Sequence, residues 1–307
     1  MGALANLLRS GEFLVTAELN PPKNAAAGVV RRRAEALRGV VDAVNVTDSN
    51  RAMVQMAAIP AATIVRSAGL EPIVQMTGRD RNRIALQADV LGAAAIGIEN
   101  FVFMSGDDPK LGNHPDAVNV KDLDGVGLVK MAVGMRDEAR FLSGDEIKPA
   151  LPKMLIGATA SPFTKPMEAD VKKTFDKIAA GAEFLQTQPV FDLPTFSRWL
   201  VEVRRGTSRE VPIIAGVLIL RSPEQAERLA KVPGLSFGPD AIDRMKGAAD
   251  PEAEGIAIAV EMVKSLRSLP GVRGVHLYAI EWPEAIPIVV RGAGLLPRPT
   301  VKEVATA

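Results

Sequence analysis

No cysteine occurs among the 307 residues, so disulfides, thiol nucleophiles and cysteine-ligated metals are excluded at once. Aromatic residues are scarce, at 4%, which leaves no stacking platform for single-stranded nucleic acid. An excess of one charge is missing too, because 37 Lys and Arg face 36 Asp and Glu. The densest basic cluster, arginines 31–33, falls on a predicted helix and reads as a solvated face rather than a phosphate track. Nucleic acid is therefore not an expected partner. No uninterrupted apolar run reaches the ~18 residues of a membrane span. Residues 1–13 lack the basic stretch, apolar run and cleavage signature of a secretion signal. The expectation is a soluble, cytoplasmic protein without membrane attachment. A hydrophobic content of 47% excludes a disordered chain.

What the sequence does contain is an alternation of short apolar runs with longer amphipathic ones. Expected strands are 13–19, 41–47, 71–77, 100–105, 153–159, 182–188, 211–218 and 272–278, each bounded by Gly, Pro or charged residues. Between them lie stripes at helical spacing: Ile84, Ala88, Leu91 and Ala95; Met167, Val171, Phe175 and Ile178; Leu193, Phe196, Leu200 and Val203; Ile256, Ala259, Val260 and Val263. All four read as core faces. Asp192 reads as the N-cap of the third and Gly206 as its stop. Eight strand–helix units with near-continuous apolar strands predict a parallel sheet buried on both faces. In a chain of this length they favour a single (β/α)8 TIM-type barrel, and no Gly-x-Gly-x-x-Gly follows the first strand. One domain over 1–307 is expected, with 1–11 and 297–307 as flexible termini.

In such a barrel the chemistry gathers at the C-terminal strand ends. Those ends carry Glu18 before Asn20-Pro21-Pro22, Thr47 before Asp48-Ser49-Asn50, Gln75, Gly106-Asp107-Asp108, Gly157, Gln186-Thr187-Gln188 and His276. No His pair or acidic triplet has metal-ligand spacing, and neither His114 nor His276 lies in a nucleophile motif. Two readings of Glu18 stand open on spacing alone. In an apolar mouth its carboxyl would be raised in pKa and suited to donate a proton; otherwise it caps or salt-bridges a strand exit. Asp107 is likewise a site acid or the anchor of an Asx turn. The loop 106–122 is the longest, and loops of that length after a strand are usually functional.

Taken together, these strand ends resemble the methylenetetrahydrofolate reductase family from about residue 12 to 295. The residues that carry the resemblance are Ala17-Glu18-Leu19-Asn20-Pro21-Pro22-Lys23, Asn45-Val46-Thr47, Gln75-Met76-Thr77, Gly106-Asp107, and Thr187-Gln188 with Phe191-Asp192. Ala215-Gly216-Val217-Leu218 with Gln225, and Gly274-Val275-His276-Leu277-Tyr278, complete the set. The pattern is closer to the short, acetogen-type forms than to the enterobacterial type.

The resemblance implies a flavin across the barrel mouth with folate stacked on it, recharged at the same site by NADH, NADPH or another donor. It makes Glu18 the general acid in reduction of 5,10-methylenetetrahydrofolate, and Asp107 the acid between flavin and pterin. Gln188, Gln225 and Leu229 become substrate contacts. Thr47, Gln75, Gly106, Asp107, Asn119, Gly157, Asp170 and Lys177 become flavin contacts, with Lys177 near the ribityl or phosphate end. Departures are also present. Gln75 stands for the enterobacterial His, Asn119 for a Tyr, Ser161 for a His, Leu229 for a substrate-stacking Phe and Trp282 for an Arg. These thin the contacts toward the adenine end, leaving FMN beside the FAD usual in the family. Two other readings come from the same resemblance: a folate-binding subunit dependent on a partner for electrons, and a flavin-independent nicotinamide-linked reductase. A homo-oligomer or an electron-transfer partner subunit is compatible with either.

Overall fold

The computed structural model describes residues 2–299 apart from Ser208 and Pro233. Eight strands lie in chain order: β1 (Leu14–Leu19), β2 (Ala43–Val46), β3 (Pro72–Thr77), β4 (Asn100–Met104), β5 (Leu155–Ala160), β6 (Phe184–Pro189), β7 (Ile213–Leu218) and β8 (Val272–Tyr278). Each pairs in parallel with the next, and β8 pairs back with β1 to close the barrel. All eight expected strands are present, with ends within two residues of those expected.

The helices are α1 (Ala3–Ser10), α2 (Ala27–Leu37), α3 (Ala58–Ser67), α4 (Arg83–Ala95), α5 (Gly125–Val133), α6 (Met167–Ala179), α7 (Leu193–Arg205), α8 (Pro223–Leu229), α9 (Pro239–Gly247), α10 (Pro251–Ser268) and α11 (Ala285–Gly292). Their starts are set by local chemistry. Asn82, Asp124, Asp192, Ser222 and Asp250 each accept from backbone N–H groups one turn on, satisfying donors that the helix leaves open.

Because successive strand residues point to opposite sides, two cores form. Val15, Ala17, Val44, Val46, Val74, Met76 and their equivalents pack outward against the helices. Leu14, Ala43, Ile73, Val102, Leu155, Phe184 and Ile214 point inward and meet Leu4, Leu7 and Leu8 of α1. The segment 1–11, expected to be a flexible terminus, thus holds a helix that plugs the N-terminal end of the barrel. Its apolar residues recur at three- and four-residue spacing, and Leu4 and Leu14 are fully buried.

The four helical stripes fare unevenly. Those of α6, α7 and α10 face the core, and Asp192 and Gly206 bound α7 as expected. The stripe assigned to α4 does not: Ile84, Ala88 and Ala95 are exposed, and the buried face is Leu86, Val90, Ala93 and Ala94. The helix is apolar on nearly every side, so a second stripe of equal quality competes with the first. Alanines score on both and decide neither.

Of the expected C-terminal tail, residues 300–307 lie outside the described ones. Arg298, just before them, is clamped instead. Its guanidinium donates to both oxygens of Asp42 at 3.1 and 2.6 Å and to the Phe13 carbonyl at 2.7 Å. Asp42 also accepts from the Val15 N–H at 2.7 Å, and both side chains are buried. No helix among the described residues is long and apolar enough to cross a membrane.

Candidate active site

Above the apolar floor the inward positions become polar. Thr16, Asn45, Gln186 and His276 form a second tier, one residue pair up from the floor. The Asn45 and Gln186 side chains join β2 to β6 across the barrel through a pair of amide hydrogen bonds of 2.5 and 3.1 Å. Thr16 Oγ1 and His276 Nδ1 lie 2.9 Å apart. Burial pushes the His276 imidazole down to about 3, so the ring is neutral at physiological pH. Its Nε2 has no partner. Gly157 belongs to this tier, and the Phe184 ring occupies the space that a Cβ would take, 2.3 Å from its nearest atom. Its lack of a side chain therefore serves packing one level below the mouth.

The third tier is the mouth itself. Glu18, at the end of β1, is largely buried, and that burial raises its carboxyl to about 7. A hydrogen bond from Asn20 Nδ2, 3.0 Å from Oε1, works against the rise, and the Asp107 carboxylate adds to it. Asn50 donates to the same oxygen at 3.4 Å. No ion pair joins Glu18 to a cation among the described residues, so it is not a salt-bridging residue at the strand exit. Tyr278 of β8 has its phenol held above the ordinary value by burial and by the Glu18 charge. Its hydroxyl donates to the Thr187 carbonyl at 3.3 Å, next to Gln188. Glu18, Tyr278 and the end of β6 therefore form one continuous wall.

Asp107 is exposed and accepts from the Arg51 N–H at 2.9 Å. It is not its own Asx anchor. That role belongs to Asp108, which accepts from the Lys110 N–H at 3.0 Å. The Asp107–Arg51 contact ties the loop after β4 to the loop after β2. Ser49, Arg51 and Ala52 in that second loop all have positive φ, between 49° and 55°, a conformation costly for residues with a Cβ. The mouth cavity, about 430 Å³, is lined by Glu18, Asn20, Asn50, Met53, Gln55 and Ile280, among others. A cavity of similar volume, about 440 Å³, opens at the opposite end beside α1. The raised acid and the polar tiers lie at the mouth, as the barrel architecture favours.

The positions expected to hold a flavin divide into two groups. Among the described residues, the side-chain amides of Gln75 and Gln188 have no hydrogen-bond partner, and the buried Oδ1 of Asn119 has none either. Gly106 has φ +83°, and a Cβ there would press on Arg79 and Thr77 at 3.0 and 3.1 Å. Lys177 Nζ donates to the Thr159 carbonyl at 2.6 Å, and burial lowers its pKa while Asp170 opposes that. Unpaired amides, a bare backbone turn and a desolvated ammonium fit a polar ring system carrying an anionic tail.

Thr47 and Asp170 are engaged by the protein instead. Thr47 donates to Asn20 Oδ1 at 2.9 Å. Asp170 accepts from Ser161 N–H at 3.0 Å and Trp199 Nε1 at 2.9 Å, locking the turn after β5 to α6 and α7. Asp170→Ala would strand a buried indole N–H and a backbone N–H, each costing about 1–3 kcal/mol. We expect a loss of that order or larger in urea denaturation; unchanged stability would remove Asp170 from the scaffold.

For the folate-facing positions, Gln188 is exposed at the rim. Gln225 is buried and its Oε1 accepts from the Arg221 N–H at 2.7 Å. Leu229 is half-buried and packs on a small cluster that includes Phe191, Leu218 and Leu220, where the Phe191 and Phe237 rings stack at 4.0 Å. Residues not singled out from sequence are Asn20, Asn50 and Tyr278 around the acid, and Asp48. Asp48 is buried, accepts from Thr77 N and Oγ1 at 2.9 Å, and pairs with Arg81 at 2.7 Å. All four lay within the quoted strand ends or motifs, and the first three are marked out only by their convergence on Glu18.

Residues 3–294 match the family model described as methylenetetrahydrofolate reductase. The 5,10-methylenetetrahydrofolate reductase of Pectobacterium carotovorum is 28% identical over 243 residues, 76% of this chain and 74% of that protein. Methylenetetrahydrofolate reductase 2 of Schizosaccharomyces pombe is 24% identical over 217 residues, 66% of this chain. The match spans only 33% of that longer relative. A solved structure from Clostridium thermocellum, described as an uncharacterized protein that binds two copies of 5-methyl-5,6,7,8-tetrahydrofolic acid, superimposes with a TM-score of 0.66. It covers 94% of this chain and 98% of its own at 15% identity, a likeness of fold.

Proposed function

Because the chain belongs to the methylenetetrahydrofolate reductase family, we propose that it reduces 5,10-methylenetetrahydrofolate to 5-methyltetrahydrofolate, or runs the reverse oxidation, in one-carbon metabolism. The observation that carries this reading is the placement of Glu18 at the end of β1, lining the mouth cavity without an ion-pair partner among the described residues, where burial raises its carboxyl to about 7. Such a group can deliver a proton at physiological pH and be reprotonated afterwards. A flavin held by Gln75, Gly106, Asn119 and Lys177 would supply the hydride.

The residues of this chain do the rest. Glu18 gives its proton to the folate nitrogen that leaves as the methylene bridge opens, so a cationic iminium forms at the other nitrogen. Asp107 places a negative charge beside that cation, where stabilisation counts most. Gln188, with a free amide at the rim, can both give and accept hydrogen bonds to a heterocycle. Hydride addition to the iminium carbon then yields the methyl group, and Glu18 takes a proton back from solvent. NADH or NADPH as donor is part of the proposal, with FAD as the flavin and FMN as the alternative. A partner-borne electron supply and a homo-oligomer both remain compatible with it.

The decisive experiment is an absorption spectrum of the purified chain, with mass identification of the released cofactor. Flavin bands together with NADH oxidation coupled to methylenetetrahydrofolate support the reading. A colourless chain that still reduces folate supports direct hydride transfer, and a colourless, inert one supports the partner-dependent subunit. Two predictions belong here. The folate half-reaction should hold level below pH 7 and fall about tenfold per pH unit above it, as Glu18 loses its proton. A profile flat from pH 6 to 9 in rapid-mixing measurements would remove the acid role. Asp107→Asn should slow folate reduction by roughly tenfold or more, since a charge facing the transition state is lost, while donor oxidation changes little. Equal losses in both half-reactions would make Asp107 a loop tie alone.

A further inference from the structure

The mouth holds more organisation around Glu18 than a proton donor needs merely to be buried. Oε1 receives two amide donors, Asn20 Nδ2 at 3.0 Å and Asn50 Nδ2 at 3.4 Å. Among the described residues Oε2 receives none, and it is not sealed from the cavity that Glu18 lines. The Asn20 amide cannot turn over freely, because its Oδ1 accepts from Thr47 Oγ1 at 2.9 Å and from Asn50 Nδ2 at 3.2 Å. Its backbone carbonyl is pinned by Arg33 of α2 at 2.5 Å. An oxygen that accepts N–H hydrogen bonds cannot at the same moment point a hydroxyl back at those donors.

We propose that Asn20 is a positioning residue for Glu18: oriented by Thr47 and seconded by Asn50, it keeps the acidic proton on Oε2, the oxygen open to the mouth. The proposal rests on the reading of Glu18 as the proton donor and adds what decides which face of the carboxyl delivers. Asn20 opposes ionisation-blocking burial, since its donor favours the carboxylate; Asp107 from the loop after β4 pushes the other way. Tyr278 of β8 also faces the acid. Lys23, Arg33, Arg51 and Glu281 line the same cavity. Thr47 is thereby drawn from cofactor contact to the outer member of a relay that ends on the acid.

The test is a carboxyl 13C NMR titration of glutamate-labelled protein, with the Glu18 signal assigned by its loss in Glu18→Gln. In Asn20→Leu the Glu18 midpoint should rise by about one to two pH units, the worth of a hydrogen bond to a charged group. Thr47→Val should move it the same way by less, and Thr47→Ser should leave it in place. In the folate half-reaction Asn20→Leu should lower kcat about tenfold with KM within roughly twofold, and add nothing further in a Glu18→Gln background. An unmoved midpoint in both Asn20→Leu and Thr47→Val overturns the proposal whatever the activity. A moved midpoint, with folate reduction untouched by Glu18→Gln, upholds the positioning geometry and overturns instead the acid role beneath it.

Discussion

Glu18→Gln is expected to slow folate reduction by a factor of ~10² or more while leaving reduction of the flavin by its donor largely intact. The amide keeps the shape of the carboxyl and can still accept from Asn20, so the mouth should remain assembled. What disappears is a proton that can be surrendered. The methylene bridge then has to open with an unassisted nitrogen leaving group, whereas the donor half-reaction asks nothing of this acid. The measurement is rapid mixing of each half-reaction separately. Equal losses in both would point to a collapsed mouth or a displaced cofactor, and no loss in either would strip Glu18 of its role.

The second large effect concerns stability. Arg298→Ala is expected to cost about 3–5 kcal/mol, the usual consequence of leaving one member of a buried ion pair without its partner. Asp42 is almost wholly enclosed and, among the described residues, has only the Val15 N–H besides the guanidinium. Arg298 also donates to the Phe13 carbonyl, so its loss frees the chain just before β1 as well. Asp42→Ala should be comparably severe, because a buried guanidinium would be stranded in turn. The double variant should recover part of the loss, as neither charge is then orphaned. Denaturant titration of the three variants reads this directly. Additive losses would show that the pair acts only as two separate packing elements.

Much of the barrel was legible because strand burial leaves a simple trace: β-branched runs bounded by Gly and Pro, repeated at regular distance. Glu18 was legible for a related reason, since an acid at the end of an apolar strand stands out against its neighbours. The reading failed where composition carries no direction. In α4, alanines and aliphatic residues surround the helix, and the periodicity of Ile84, Ala88 and Leu91 was as good as that of the true inner face, Leu86, Val90 and Ala93. The α1 plug was missed because eight residues before the first strand look like any frayed end. Its partners, Leu14, Ala43, Ile73 and Ile214, come from four different strands.

The surroundings of the acid were only half readable. Asn20 and Asn50 sit thirty residues apart in the chain, and nothing local distinguishes them from ordinary turn asparagines. Their meeting at one carboxylate oxygen follows from the adjacency of β1 and β2, which is a property of the closed ring. Thr47 and Asp170 show the complementary case. The family resemblance assigned both to the flavin, yet their side chains bond to Asn20 and to Trp199 and Ser161. Family motifs preserve a residue without saying which of its neighbours it serves.

The helix that stoppers the barrel floor has an implication for traffic. With Leu4, Leu7 and Leu8 seated among the lowest strand residues, the mouth is walled off from the cavity beside α1, so whatever enters at the upper rim leaves by it. Two reactants as bulky as a reduced nicotinamide and a pterin would have to take turns there. Each should then act as a competitor of the other when supplied in excess.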